Sequence, residues 1–312
     1  MKKVDPIKMI TKSEKAVSNT RLIIISGPTA SGKTDLAIEL ANYLQTDIVS
    51  FDSRQFYSEL NIGTAKPSLA QLNKAKHHFI GNKSIHEDYN AELFSQESRS
   101  LIQELSTEKE NLVLVGGSGL YLNSLLYTFD KMPEVNKEHR SQLNQLFELE
   151  GLSALQSLLL EKDPEYYKIV DLNNPQRIIR ALEVCLSSEK PYSSFRTGAK
   201  QTIPFKIIKF CIAPPISHLY KRIEDRVDQM VEQGLIDEAH RVYPFRELNP
   251  LKTVGYSELF DYFDHFIGKE EAISLIKQHT RNFAKRQLTW FRKDSENIWL
   301  ENNQIKPILE IL

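Results

Sequence analysis

The chain has little cysteine. Cys185 and Cys211 are its two, in 312 residues. They allow at most one disulfide, which a reducing cytoplasm disfavours, and their apolar surroundings predict small buried hydrophobes. No Cys/His spacing suits zinc. No apolar run approaches the ~20 residues that a membrane-crossing helix needs. Net charge is also nearly absent. With 40 Lys and Arg against 41 Asp and Glu the balance is −1, so any contact with nucleic acid has to come from local patches. The opening Met1-Lys2-Lys3-Val4-Asp5-Pro6 is basic with no apolar run behind it and is not expected to be a secretory signal. Residues 1–20 are expected to form a loose extension. Hydrophobic content of 41% and charged content of 26% fit a globular protein of the cytoplasm, with no membrane contact expected.

What is present is a phosphate-binding pattern. Gly27-Pro28-Thr29-Ala30-Ser31-Gly32-Lys33-Thr34 matches G-x-x-x-x-G-K-[ST] at every fixed position. The apolar run Leu22–Ile25 precedes it as a buried strand. A helical pattern follows, with Leu36, Ala37, Leu40, Ala41 and Leu44 on one face. Strand, glycine loop and helix N-terminus together make an anion cradle. Lys33 adds a point charge, and the Thr34 hydroxyl is the candidate ligand for Mg²⁺.

Strand and helix patterns then alternate. Asp47–Phe51 reads as a second strand ending at Asp52, Ala91–Leu105 as a helix, and Asn111–Val115 as a third strand running into Gly116-Gly117-Ser118-Gly119. This rhythm predicts an α/β fold, a P-loop-type parallel sheet flanked by helices. Ligands in such sheets bind at the carboxyl ends of the strands, where the phosphate loop, Asp52 and Gly116–Ser118 all fall. From about 132 to 170 only short helices are evident, and this segment is expected to be a helical insertion. Residues 21–131 and 171–312 are assigned to the catalytic core. Pro175 in a first turn opens another helix at Asn174–Arg177. Phe205–Ile212 reads as a fourth strand, Ser217 as the cap of a helix ending near Gly234, and Glu270–Phe291 as a last long helix.

Several residues point to chemistry. Asp52, facing the phosphate loop, is a candidate general base or Mg²⁺ partner, and equally a cap for the next turn. The third strand lacks the terminal acid that nucleotide hydrolases use to help hold Mg²⁺, which weakens an ATPase reading. Arg222 and Arg226 share a helix face and could clamp a pyrophosphate, although Glu224, Asp225 and Asp228 lie close by. Ser274–Lys293 contains no Asp or Glu. Lys277, Arg281, Lys285 and Arg292 fall on one narrow face, with Trp290 and Phe291 between charges, a pattern suited to RNA backbone contact and base stacking. A small-molecule or nucleotide kinase, and an RNA-binding protein with a nucleotide switch, remain open on these residues alone.

Eight stretches in order carry a more specific signal: GPTASGKT (27–34), DSRQ (52–55), IGTAKP (62–67), GGSGLY (116–121), NPQR (174–177), RIEDR (222–226), VGY (254–256) and KRQLTW (285–290). With them the chain resembles the bacterial tRNA dimethylallyltransferases, which prenylate an adenosine beside the anticodon. The resemblance implies a helical insertion over the tRNA. It also implies transfer of a dimethylallyl group from its diphosphate to N6 of adenosine 37, with Mg²⁺. Separately, the chain is expected to be a monomer. Residue by residue it implies Asp52 as the catalytic acid that accepts from N6, and Thr29 beside the reacting centre. Diphosphate contacts fall on Gly27, Thr29, Ala30, Ser31, Gly32, Lys33, Thr34 and Arg226. Contacts with tRNA, at its anticodon stem-loop, fall on Ser53, Arg54, Gln55, Ser118, Arg140, Gln176 and Arg177, to which the basic stripe adds Lys277, Arg281 and Lys285. The chain departs from the pattern at Ser118, usually Thr, at Asn174, usually Asp, and at Asn90, where Ser or Thr is common.

Overall fold

Strand β1 (Arg21–Ser26) buries Leu22, Ile23, Ile24 and Ile25 completely, as expected for a strand covered on both faces. Removing each such side chain from water contributes roughly 1.5–3 kcal/mol. The computed structural model describes residues 19–128, 130, 132–198 and 202–312. Most of the expected N-terminal extension therefore lies outside the described residues. Thr20 is buried, and its hydroxyl donates to the carbonyl of Lys109 at 2.8 Å.

After β1 come α1 (Lys33–Leu44), β2 (Ile48–Ser50), α2 (Leu69–Leu72), β3 (His77–His78), α3 (Ala91–Leu105), β4 (Asn111–Gly116) and α4 (Gly119–Leu126). The chain then forms α5 (Lys137–Glu150), α6 (Leu152–Lys162), α7 (Pro164–Tyr167) and α8 (Pro175–Ser188). It continues with β5 (Lys206–Ile212), α9 (Ile216–Glu232), α10 (Leu235–Val242), α11 (Ser257–Phe263), α12 (Lys269–Phe291), β6 (Asn297–Leu300) and α13 (Lys306–Leu309). Asn90 caps α3 by accepting the N–H groups of Glu92 and Leu93, so it does the work of the usual Ser or Thr. Helix α9 begins at Ile216 behind Pro215 with no side-chain cap; Ser217 is already inside it.

The six strands pair in parallel in the order β3-β2-β4-β1-β5-β6. Ile25 stands beside Val115 on one side and Phe210 on the other. The expected parallel α/β sheet is therefore present. Strands β3 and β6 are additions to it. The first has two residues, too few to show a period, and the second is a half-exposed edge strand. The core between sheet and helices is built from Ile23, Ile25, Leu36, Leu40, Ile48 and Val113. Among the described residues no helix is long and apolar enough to cross a membrane.

Residues 127–202 form a second compact unit. Leu143 of α5, Leu155 and Leu159 of α6, and Ile178, Ala181 and Leu182 of α8 make its core. The insertion thus extends beyond 132–170 and takes in α8, which the sequence reading had returned to the catalytic core. An amphipathic stripe announces that one face is buried but does not name what buries it.

Candidate active site

The loop after β1 is shaped for an anion. Gly32 forms the N-cap of α1 at φ 90°, ψ 13°, a conformation natural to glycine. A Cβ there would also come within 2.9 Å of the Arg222 guanidinium. Ala30, 2% exposed, holds φ 61°, local strain of the kind found in ligand loops. The Ser31 hydroxyl is buried without a hydrogen-bond partner, and the first N–H groups of α1 are free by geometry. A phosphate would satisfy both. Lys33 donates to the carbonyl of Pro28 at 3.2 Å. Loss of water around its amine pushes its pKa down to about 8; Asp52 works against that shift and Arg226 adds to it. Arg226 is itself lowered by burial and then by Arg222.

Asp52 ends the second strand and does two things. Its Oδ1 accepts the N–H groups of Arg54 at 3.0 Å and Gln55 at 3.4 Å, which fixes the turn after β2. It also lines the same cavity as Lys33 and Thr34. The capping bonds therefore do not take Asp52 out of the cavity that holds Lys33 and Thr34. Ser118 accepts the N–H of Ser53 at 2.9 Å and bonds its hydroxyl at 3.0 Å, so the loop after β4 braces the Asp52 turn. The threonine-to-serine departure keeps the oxygen this brace uses. Gln55 donates to the carbonyls of Thr64 and Ala65 and ties in the Ile62–Pro67 loop.

That loop is held from the other side by Glu238 of α10, a residue 1% exposed. Its carboxylate accepts the N–H groups of Asn61, Ile62 and Gly63 at 2.9–3.0 Å and the Tyr256 hydroxyl at 2.7 Å. Burial and the carboxylate push the Tyr256 phenol pKa upward. The charge of Glu238 is paid for by four donors. Sequence reasoning missed this clamp. Its only trace is an acid on the buried stripe of α10, between Leu235, Ala239 and Val242.

One cavity of about 750 Å³ collects the site. Thr29, Ala30, Gly32, Lys33, Thr34, Asp52, Ser53, Arg54, Gln55, Ser118 and Arg226 all line it. Gly27 and Ser31 belong to the loop wall; a Cβ on Gly27 would approach the Ile212 carbonyl to 2.8 Å. Gln287 of α12, also missed, lines the cavity and bonds the Thr29 backbone.

The basic stripe of α12 turns out to face α9. Lys277 pairs with Asp228 and Arg281 with Glu224, both at 2.6 Å. Lys285 lies 5.6 Å from the Tyr220 ring centroid. Helix α12 has no acids in this stretch because its partner helix supplies them. In the second unit, Arg140 pairs with the buried Glu183. Gln176 and Arg177 occupy the first turn of α8, where Asn174 accepts the Arg177 N–H at 3.2 Å; the Asp-to-Asn departure preserves the cap.

Comparison with known proteins places these features in a family context. The model of a family described as IPP transferase matches residues 55–294. The chain is 48% identical over 280 residues to a tRNA dimethylallyltransferase of Christiangramia forsetii, a match covering 90% of this chain and 93% of the relative. It is 44% identical over 291 residues to tRNA dimethylallyltransferase 1 of Bacteroides fragilis, covering 93% and 97%. The solved structure of full-length tRNA isopentenylpyrophosphate transferase from Bacillus halodurans matches with a TM-score of 0.67 at 35% identity, over 93% of this chain and 94% of that one.

Proposed function

The chain belongs to the IPP transferase family, and on that premise we propose that it is a tRNA dimethylallyltransferase, moving a dimethylallyl group from dimethylallyl diphosphate to N6 of adenosine 37 in the tRNA anticodon stem-loop. On this reading it acts in the cytoplasm as a monomer. The observation that carries the assignment of roles is that Lys33, Thr34, Asp52 and Arg226 line one cavity.

The chemistry follows from those groups. N6 of adenine is a poor nucleophile because its lone pair is delocalised into the ring. As N6 bonds to the allylic carbon, the carbon–oxygen bond to the diphosphate breaks and positive charge develops on nitrogen. Asp52, with Oδ1 already engaged by its own turn, offers its other oxygen to the departing N6 proton. Negative charge gathers on the leaving diphosphate. Loop N–H groups, the Ser31 hydroxyl, Lys33 and Arg226 are the donors for it. The phosphate loop therefore holds a leaving group, and no phosphoryl group is transferred.

Mg²⁺ suits this donor set. Among the described residues no cluster of three or more His, Cys, Asp or Glu could cage a metal, but Mg²⁺ usually takes only one or two protein oxygens beside phosphates and water. The Thr34 hydroxyl, in the cavity with Asp52, would hold it against the diphosphate, where it would neutralise part of the leaving group's charge.

The test is transfer of label from dimethylallyl diphosphate to unmodified tRNA with Mg²⁺ and without ATP. Label in the tRNA, lost when adenosine 37 is replaced, is the expected result. A folded protein that labels no tRNA and consumes ATP would overturn the assignment.

A further inference from the structure

His77 opens β3, paired with Ile48 of β2. Successive strand residues point to opposite faces. His78 meets the Asp47 carboxylate at 2.8 Å, while His77 lines a small cavity at the strand ends together with Asp52. The Nδ1 of His77 lies 2.8 Å from the carbonyl of Ala75. A carbonyl can only accept, so Nδ1 carries the proton, and Nε2 of the neutral ring is an acceptor. Burial holds the pKa of His77 below the ordinary histidine value, against the pull of the Ala75 carbonyl, so the ring stays neutral at neutral pH. Nε2 is itself buried, with no hydrogen-bond partner among the described residues. A buried acceptor left unmet costs stability, and one beside a working carboxylate calls for a partner.

The small cavity measures about 10 Å³, room for about one water. Its polar wall is Lys33, Thr34, Ser50, Asp52, Gln55 and His77. Lys33, Thr34, Asp52 and Gln55 line the large cavity as well, so the two adjoin at the Asp52 turn. A buried water needs two to four polar partners, and this wall supplies them. Nε2 takes one of its hydrogens and so sets its orientation. The second falls to Asp52, the one carboxylate that lines the cavity among the described residues. The Lys33 ammonium and the Thr34 hydroxyl are donors for its lone pairs. Asp52 Oδ1 is held by its own turn, and a water from this side would hold the carboxylate against rotation while leaving a lone pair open to the large cavity. We propose that His77 is a positioning residue, which binds one internal water at Nε2 and through it orients the Asp52 carboxylate toward the N6 proton. The orienting role rests on the reading of Asp52 as the base; the water site itself does not.

Two measurements on the wild-type chain test the site. A high-resolution crystal structure should show one ordered water within about 3.2 Å of both Nε2 and an Asp52 oxygen. A bare Nε2, or a water that reaches Nε2 but not Asp52, would overturn the proposal. Nitrogen-15 NMR of labelled histidine should find His77 with its proton on Nδ1, and a proton on Nε2 would overturn it equally. Two variants test the role. His77→Phe keeps a ring but no acceptor, and should lower kcat by roughly ten- to a hundredfold with KM for dimethylallyl diphosphate and tRNA affinity within about twofold. His77→Gln, whose amide oxygen reaches the place of Nε2, should recover most of that loss. Both variants give up the bond to Ala75, so the difference between them isolates the water's acceptor. Unchanged kcat in His77→Phe, or equal losses in the two variants, would contradict the positioning role. If neither variant folds, the water and the tautomer of the wild type decide the matter. A wild type that transfers nothing would contradict the proposed function instead, and the same two measurements would still judge the site.

Discussion

Gln287 Oε1 accepts the backbone N–H of Thr29 at 2.9 Å. The Nε2 of the same amide donates to the Gly117 carbonyl at 2.9 Å, so one side chain of α12 joins the loop after β1 to the loop after β4. Gln287 is 7% exposed, and a Cβ on Gly117 would lie 2.3 Å from its Nε2. The second glycine of the Gly116–Gly119 run is there so that this amide can reach the backbone.

Gln287→Leu leaves the half-buried Thr29 N–H and the buried Gly117 carbonyl without this partner, at about 1–3 kcal/mol for a fully buried group. Urea denaturation should show a loss of about 2–4 kcal/mol, and turnover should fall as Thr29 shifts. Gly117→Ala breaks the same link. In a double-mutant cycle the pair should therefore be strongly non-additive, whereas additive losses would mean that Gln287 and Gly117 act separately.

Lys277 and Arg281 are engaged by Asp228 and Glu224 of α9. Exposed pairs of this kind contribute roughly 0–1 kcal/mol. Arg281→Gln should cost that much in stability at low salt, less in high salt, and change tRNA affinity little. Glu224→Arg combined with Arg281→Glu should recover the loss. A large, salt-dependent fall in tRNA affinity for Arg281→Gln would return the stripe to the RNA interface.

Acid stability has a definite sign. Burial would raise the Asp47 carboxyl, but hydrogen bonds from His78 at 2.8 Å and from Lys76 at 3.2 Å outweigh it and hold the pKa below its ordinary value. Glu59 is lowered in the same way, against burial, by the Ser84 hydroxyl, backbone N–H groups and the Ser58 hydroxyl. Groups depressed in the folded state stabilise it above the unfolded carboxylate range. That contribution is lost as pH falls through their folded values. Stability of the wild type should therefore decline below about pH 4–5, and Asp47→Asn should make that decline shallower. An unchanged acid limb would remove Asp47 from the account.

The sequence made the sheet and the phosphate end of the site legible because both are written locally. Leu22–Ile25 is a buried strand in four consecutive letters, and Gly27–Thr34 fixes its own loop and helix cap. Asp52 could be placed because strand ends in a parallel sheet face one edge. Long-range pairing was not legible. The stripe of Lys277, Arg281 and Lys285 looked free because Glu224 and Asp228 lie about fifty residues away on another helix. Helix α8 showed an apolar face, but periodicity could not say that α5 and α6 bury it. Glu238, Gln287 and Glu258 are single polar residues on apolar stripes. Such a residue signals a buried partner without naming it; here the partners are backbone groups of distant loops for Glu238 and Gln287, the neighbouring Gly255 N–H for Glu258, and the side chains of Tyr256 and His279.

The measurement that bears most directly on the account is Asp52→Asn, with transfer rate and tRNA affinity determined on the same protein. Asparagine keeps an oxygen for the N–H groups of Arg54 and Gln55 but cannot take the N6 proton. Turnover should fall by roughly 10²–10⁴-fold, with tRNA affinity held within about threefold. Turnover near wild type, or a loss of tRNA affinity equal to the loss of turnover, would contradict Asp52 as the base and leave it only the cap of its turn.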